Sequence, residues 1–491
     1  MRILYRARGS TLSWRSRGVR RVEKSFVTSG AGLLSRRYRA LTIAMVALIA
    51  LVAFESLAVA TAMPTVAQAL HGLSLYALSF GATLAASIVG MVAAGQWSDA
   101  RGPAASLWTG VAFFVLGLLI DGLAPNMVWL LCGRTVQGCG SGAIFVALYV
   151  IVGRMFPAQL QPRVFAAFSS AWIVPSLVGP TLSGLIVQHI GWRWVFLGVA
   201  LLSAPALLML RSGLRTVGEN NTSQPGIPRA FGPRLAWATA AATAAGVLHV
   251  ASQLRGTTGA GSCAVALVGL TISTQRLLPP GTLHVRRGLP SVIALRGTVS
   301  AAFFGTELFI PLLLSREYGL SALWAGAVLT IGALGWCSGS WYQGNTRREW
   351  SRTQFLKLGM SLILGGIVLL GAVTALLKWY SIPWGATTMI CGALLSWLIT
   401  GAGMGLTYPS LSVLTLSLSA PSEQGNNTSA LQLADAVGIA TVLAVEGWVF
   451  ALLLERAPYA AYLTSFAITG VLALFGLALS SRTTRPSIEL A

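Results

Sequence analysis

Charge is scarce in this chain. Only 10% of its 491 residues are Asp, Glu, Lys or Arg, against about 25% in soluble globular domains. That excludes an ordinary soluble enzyme or binding domain of this length. Carboxylates are scarcer still, with 13 acids against 34 basic residues. Loops so poor in acid cannot supply the metal-binding clusters of a membrane prenyl-transfer enzyme. The five cysteines, Cys132, Cys139, Cys263, Cys337 and Cys391, lie in apolar runs without ligand-type spacing. They read as small core residues rather than as disulfide or zinc positions. No phosphate-cradling glycine loop with its Lys and Ser/Thr occurs, which argues against a nucleotide-driven protein. Nothing has the look of a catalytic triad or a haem site. No enzyme activity, cofactor or metal is expected.

What the chain does have is apolar length. Mean hydropathy is +0.72, and apolar runs of about 20 residues, enough to cross a bilayer as a helix, recur end to end. The spacing predicts about fourteen spans. Six cover 41–63, 76–95, 104–120, 127–152, 164–187 and 192–210. Two weaker runs follow at 235–252 and 263–278, then six more at 289–314, 320–341, 358–377, 384–414, 431–454 and 460–479. The expected fold is all-α, with two pseudo-symmetric six-helix bundles and an extra central pair. The predicted organisation is a basic tail (1–39), a first bundle (40–211), a linker (212–234), the extra pair (235–279), a second bundle (280–481) and a tail (482–491).

The net charge of +21 fits cytoplasmic loops better than nucleic-acid binding, because Lys and Arg concentrate on the inner side of membrane proteins. Even-numbered turns carry Arg101, then Arg154 and Arg163, then Arg211, Arg215, Arg229 and Arg234, then Arg286 and Arg287, then Arg347, Arg348 and Arg352. The first opposite loop, 67–75, has none. Both termini are therefore expected in the cytoplasm. The segment 1–39 lacks the apolar stretch of a signal peptide and reads as a basic tail at an anionic membrane surface. The two "NNTS" sites, at Asn220 and Asn426, would lie on the inner side and are not expected to be glycosylated. Arg-rich, Ala- and Gly-rich usage points to a GC-rich bacterial source and its plasma (inner) membrane.

The halves echo each other. "GQWSDARGPA" follows the second span and "GSWYQGNTRR" the tenth, and each opens Gly-x-Trp. The first and ninth spans each carry an acid and then a proline, Glu55 with Pro64 and Glu307 with Pro311. Repeated halves around a midplane site characterise many secondary transporters.

Four ordered patterns resemble the major facilitator superfamily, in particular its fourteen-span, proton-coupled drug exporters. "FESLAVATAMPTVA" is similar to their first-span motif, with Glu55 where Asp is commoner. "GQWSDARGP" resembles the loop motif through Gly95, Asp99, Arg101 and Gly102, although Ala100, Pro103 and Ala104 thin its basic residues. "GRTVQGCGSG" resembles the fourth-span motif, with Arg134, Gln137, Gly138 and Gly140. "VGPTLSGLI" resembles the antiporter motif, with Gly179, Pro180 and Gly184, and Ser183 replaces one glycine. "GWRWVF" fits the start of the sixth span. The resemblance implies a multidrug-efflux antiporter conferring antibiotic resistance. It exchanges protons for small amphipathic molecules by alternating access. It also implies that Arg134 tunes a carboxylate, where the residue alone would equally allow snorkelling at a membrane rim, that Asp99 gates, and that the fifth-span motif seals against proton leak. The alternative is a transporter of an endogenous metabolite or lipid-like compound. The expected partners are a small-molecule substrate, protons and the lipid bilayer, with no nucleic acid and a monomeric state.

Physical chemistry reaches the same residues separately. A charge at the bilayer centre costs at least ~2.5–3.5 kcal/mol, so it faces protein or water and defaults to function. Glu55, Arg134, Glu307, Asp435 and Glu446 are the candidates. Carboxyls in low dielectric can exchange protons near neutrality, and Glu55, Glu307 and Asp435 would titrate as a coupled set if they shared one cavity. Arg296 is expected to snorkel toward the cytoplasmic face. Gly133, Gly138, Gly140, Gly142, Gly179 and Gly184 should let helices approach closely. Phe54, Phe303, Phe304 and Phe309 flank the acids and would suit a cationic or amphipathic substrate. The extra pair is expected to be dispensable for the chemistry, with His249 an interhelical residue.

Overall fold

The computed structural model describes residues 32–72, 75–217, 231–251, 256–320, 322–346, 350–380, 385–454 and 456–484. Most of the basic tail and linker, with Asn220 and Arg229, lies outside the described residues, as do Arg347, Arg348 and positions 485–491.

Among the described residues the secondary structure is helical throughout. The first group is α1 (Arg39–Ala69), α2 (Tyr76–Arg101), α3 (Pro103–Gly122), α4 (Met127–Met155), α5 (Gln161–Ser170), α6 (Ile173–His189) and α7 (Arg193–Val217). The central pair is α8 (Phe231–Ala251) and α9 (Gly256–Leu277). The last group is α10 (Leu289–Tyr318), α11 (Ala322–Asn345), α12 (Arg352–Tyr380), α13 (Gly385–Leu418), α14 (Gln424–Leu454) and α15 (Pro458–Ser480). Among the described residues, eleven segments are long and apolar enough to cross a membrane, with α5 and α6 counted together. Helices α8, α9 and α11 stand in the expected order but outside that set.

Local chemistry sets several boundaries. The Asn126 side chain accepts hydrogen bonds from the Val128 and Trp129 N–H groups at 3.1 Å and starts α4. Gly102, at φ 90°, breaks α2 from α3, a conformation that side chains disfavour. Pro103 then occupies the first position of α3. The predicted single span 164–187 is in fact two helices, because Pro175 has no N–H for the Ala171 carbonyl and the chain breaks at Ala171–Trp172.

Three large cores hold these elements, with a small fourth cluster of Ala94, Val146 and Val150 between α2 and α4. One joins α1 to α7 through residues such as Leu48, Phe114, Ile144 and Phe196. A second joins α10 to α15 through Phe303, Met360, Trp397 and Tyr462. The third ties the central pair to α2 and α14 through Ile88, Ala241, Leu270 and Leu431. The bundles meet where α2 packs on α14 and where α5 and α6 pack on α11. On the α5–α11 flank an open groove runs past Val46, Ala50, Ala167, Val174 and Trp341.

The assembly is closed at one end. From Gly401 to Val413 all of α13 but Ala402 is buried, whereas Ala386, Thr387, Thr388, Cys391, Leu395 and Leu398 are exposed. Helix α14 is likewise buried from Asn427 to Ala434 and opens toward Val445 and Trp448.

Glycines set the tightest crossings. A Cβ at Gly140 would strike the Phe114 backbone nitrogen and the Gly110 carbonyl. Backbone cannot rotate aside, so Gly140→Val should prise α4 from α3 and lower thermal stability by about 1–3 kcal/mol. Detergent-solubilised protein would report this as an earlier melt; an unchanged melting curve would refute the packing.

Candidate functional site

The first polar cluster lies inside the first bundle. Arg134, two turns into α4, donates through Nη1 to the Glu55 carboxylate of α1 at 2.5 Å and to Gln137 Oε1 at 2.6 Å. Arg134 and Glu55 are both nearly fully buried, at 4% and 3% exposed. The two residues are 79 positions apart in sequence. A buried ion pair holds only while both partners are charged, and loss of either leaves an expensive charge behind.

Sequence reasoning missed a third member. Asp121, near the end of α3, is fully buried and within electrostatic reach of both Arg134 and Glu55. The predicted third span ended at 120, one residue short, whereas α3 continues through Gly122.

The second cluster mirrors the first. Arg296 of α10 donates to Asp435 of α14 at 3.0 Å and to Gln432 at 3.4 Å. Tyr408 of α13 donates to the same Asp435 oxygen at 2.6 Å, and the Ser300 hydroxyl donates to it as well. The Arg296 guanidinium also stacks over the Tyr408 ring, 3.4 Å from its centre. The snorkelling expected of Arg296 is therefore corrected. Its side chain is 3% exposed and turned inward onto the Asp435 carboxylate of α14.

The acids do not form one cluster. Glu55 and Asp435 each have their own arginine. Glu307 is half-buried on α10 and makes no ion pair among the described residues. Glu446 of α14 is fully buried, with both carboxyl oxygens unpartnered among the described residues, packed where a Cβ on Gly305 would meet it. Aromatic rings of Phe303, Phe304, Trp336 and Trp397 line the second bundle beside Tyr408.

At the closed end Asp99 makes a latch between bundles. It lies in the last turn of α2, not in a free turn, and is 6% exposed. Its carboxylate accepts from the N–H groups of Gly425 and Asn426 at 2.7 and 2.8 Å, and from the Asn426 side chain at 2.8 Å. These are the unsatisfied donors at the start of α14, where a negative charge is also favoured. Arg154 of α4 adds a bond of 3.1 Å and reaches the Pro421 carbonyl at 3.0 Å. Arg101 is exposed, so Arg154 supplies the charge that the thinned loop motif lacks. Gly95 lets α2 approach, since a Cβ there would strike the Gly425 carbonyl. Arg234 of α8 donates to Asn426 Oδ1 at 2.7 Å, which binds the central pair to the latch. Across the molecule Arg163 donates to the Gly344 carbonyl at 3.1 Å.

The antiporter-motif residues lie on α6, with Pro180 exposed. A Cβ at Gly179 would make only ordinary contact with Leu57 and Phe54, and one at Gly184 would meet nothing. Close approach is therefore not the reason for these two glycines, unlike Gly133, Gly138, Gly140 and Gly142, whose neighbours leave no room. The replacement at Ser183 has a role in packing, since its hydroxyl donates to the Ala58 carbonyl of α1 at 2.6 Å. All five cysteines are free, as expected, but Cys132 and Cys391 are exposed rather than core. His249 packs on α2 at Gly81.

Comparison with known proteins adds independent information. Residues 43–441 match the profile described as Major Facilitator Superfamily. The chain is 27% identical over 409 residues to a probable multidrug-efflux transporter of Mycobacterium tuberculosis (strain ATCC 25618 / H37Rv), covering 82% of this chain and 85% of that one. An uncharacterized MFS-type transporter of Schizosaccharomyces pombe is 30% identical over 153 residues, 31% of this chain, and the match spans only 26% of that relative's length. Among solved structures, the human organic anion transporter MFSD10 (TETRAN) superposes with a TM-score of 0.66 at 14% identity, covering 90% of this chain and 99% of the other. That likeness is one of fold.

Proposed function

The chain belongs to the major facilitator superfamily, and from that premise we propose that it exports small amphipathic molecules in exchange for protons. It is a multi-pass membrane transporter. The two bundles rock about a central site, and Glu55 with Arg134 couples proton to substrate. The observation that carries this reading is the buried Glu55–Arg134–Gln137 set. A charged pair in an apolar bundle is costly unless it is used. Support for drug-like cargo comes from the multidrug-efflux relative and from the aromatic wall near Tyr408. With the basic loops inside, the Asp99 latch lies at the cytoplasmic end of a bacterial plasma-membrane protein. This conformer is then closed to the cytoplasm. The working unit is a monomer.

The test is ethidium movement in proteoliposomes under an imposed pH gradient. Glu55→Gln keeps the size of the side chain and loses its titration. It should lower gradient-driven movement at least about tenfold, given a charge penalty of ~2.5–3.5 kcal/mol at stake. Equal rates for the variant and the unaltered protein at equal reconstitution would dismiss the coupling role.

A further inference from the structure

Asp121 is unlike every other aspartate of the chain. The sequence contains only Asp99, Asp121 and Asp435. Asp99 accepts from backbone N–H groups and Arg154, and Asp435 accepts from Arg296 and Tyr408. Both Asp121 carboxyl oxygens are buried without a hydrogen-bond partner among the described residues. An ionised carboxylate cannot be left so in a dry interior. Its surroundings hold one basic group for two acids: Arg134 of α4 faces both Asp121 and Glu55 of α1. Arg193 of α7 also lies near this end of α3, and its guanidinium is engaged by the Ala124 carbonyl at 3.3 Å and by the Trp192 ring.

The carboxyl is also aimed at the site. A Cβ on Gly133, the residue before Arg134, would strike the Asp121 side chain. Arg134 has spare capacity, because its Nε has no acceptor, and neither does Nε2 of its neighbour Gln137. Just beyond Asp121 the chain leaves the bundle through Leu123, Pro125 and Asn126, all exposed.

We propose that Asp121 is the proton-holding carboxyl of this site, neutral while Arg134 is paired with Glu55, and that it takes Arg134 over when Glu55 is neutralised. In the exchange the O–H bond at Asp121 breaks and one forms at Glu55. Arg134 then moves its hydrogen bonds to the Asp121 carboxylate, and the charge of the cluster is unchanged. Asp121, beside the exposed α3–α4 turn, is the point of entry for the proton. The inference deepens the proton-coupling reading and rests on it for its transport role.

The experiment is infrared spectroscopy of the full chain in lipid nanodiscs, with aspartate carrying carbon-13 in its side-chain carboxyl. The wild-type protein at neutral pH should show a protonated-carboxyl band that shifts with the label. Asp121→Asn should remove it, and Glu55→Gln should remove it too, because Arg134 then needs Asp121 ionised. A wild-type spectrum without a label-shifted band would overturn the proposal without any need for a variant to fold. So would a band that survives Asp121→Asn. A band that persists in Glu55→Gln would make Asp121 an inert neutral filler and overturn the handover. Ethidium movement in proteoliposomes separates the two readings. If the bands behave as stated while wild-type movement ignores the pH gradient, proton antiport fails and the assignment of Asp121 stands.

Discussion

Arg134→Met should abolish gradient-driven transport and destabilise the first bundle by ~3–5 kcal/mol, the usual consequence of removing one partner from a buried ion pair. The arginine serves two residues, Glu55 and Gln137. Methionine keeps much of the volume, so the loss would come from the stranded carboxylate and not from a cavity. The double variant Glu55→Gln/Arg134→Met should regain most of the stability and none of the transport, because both charges are then gone together. Thermal unfolding followed by tryptophan fluorescence measures the first quantity, and ethidium movement the second. A single variant as stable as the unaltered protein would show that the pair is not held in a dry interior. A double variant that transports would place the coupling elsewhere.

Asp99→Ala should release the closed end. One carboxylate there accepts from two backbone N–H groups, a side-chain amide and an arginine. Hydrogen bonds to a charged group contribute about 1.5–3 kcal/mol each. Opening gives the carboxylate water in return, so the net shift is taken as one such bond, roughly ten- to a hundredfold in the closed-to-open ratio. Spin labels at Gln159 and Ala420, in the loops α4–α5 and α13–α14, straddle the seam on opposite bundles. The distance distribution should gain a longer component, and turnover should fall while ethidium binding persists. An unaltered distribution would mean that the glycine crossing of Gly95 and Gly425 holds the end shut without the charge.

The sequence made single residues visible and left their partners hidden. Glu55 stood out because an acid interrupts an aliphatic run, and Arg134 because of its motif. Their bond spans 79 residues, and no spacing rule reaches that far. Arg296 was misjudged for a related reason: near the start of a span an arginine can snorkel, and only the placement of α14 shows that Asp435 takes its side chain instead. Asp121 escaped because helix ends are the least legible part of a span, and a boundary one residue short removed it from the buried acids. Arg154 was counted as a loop charge that sets orientation. Its position in the last turn of α4, beside Asp99, depends on how α2 and α4 cross. The order of helices followed from apolar length alone, whereas the break before α6 followed from Pro175, whose effect on a span could be read only once the span's neighbours were in place.

The two flanks of the molecule differ. Along the α2–α14 seam, helices α8 and α9 form a wall sealed by Ile88, Ala241, Leu270 and Leu431. Along the α5–α11 seam no helix among the described residues makes such a wall, and the groove past Val46, Ala167 and Trp341 is open. Under the proposed export of amphipathic molecules, a cargo in the bilayer would find an apolar groove on one flank and a packed helix pair on the other. The two halves repeat each other, but their flanks do not: one is covered by a helix pair and the other carries an apolar groove.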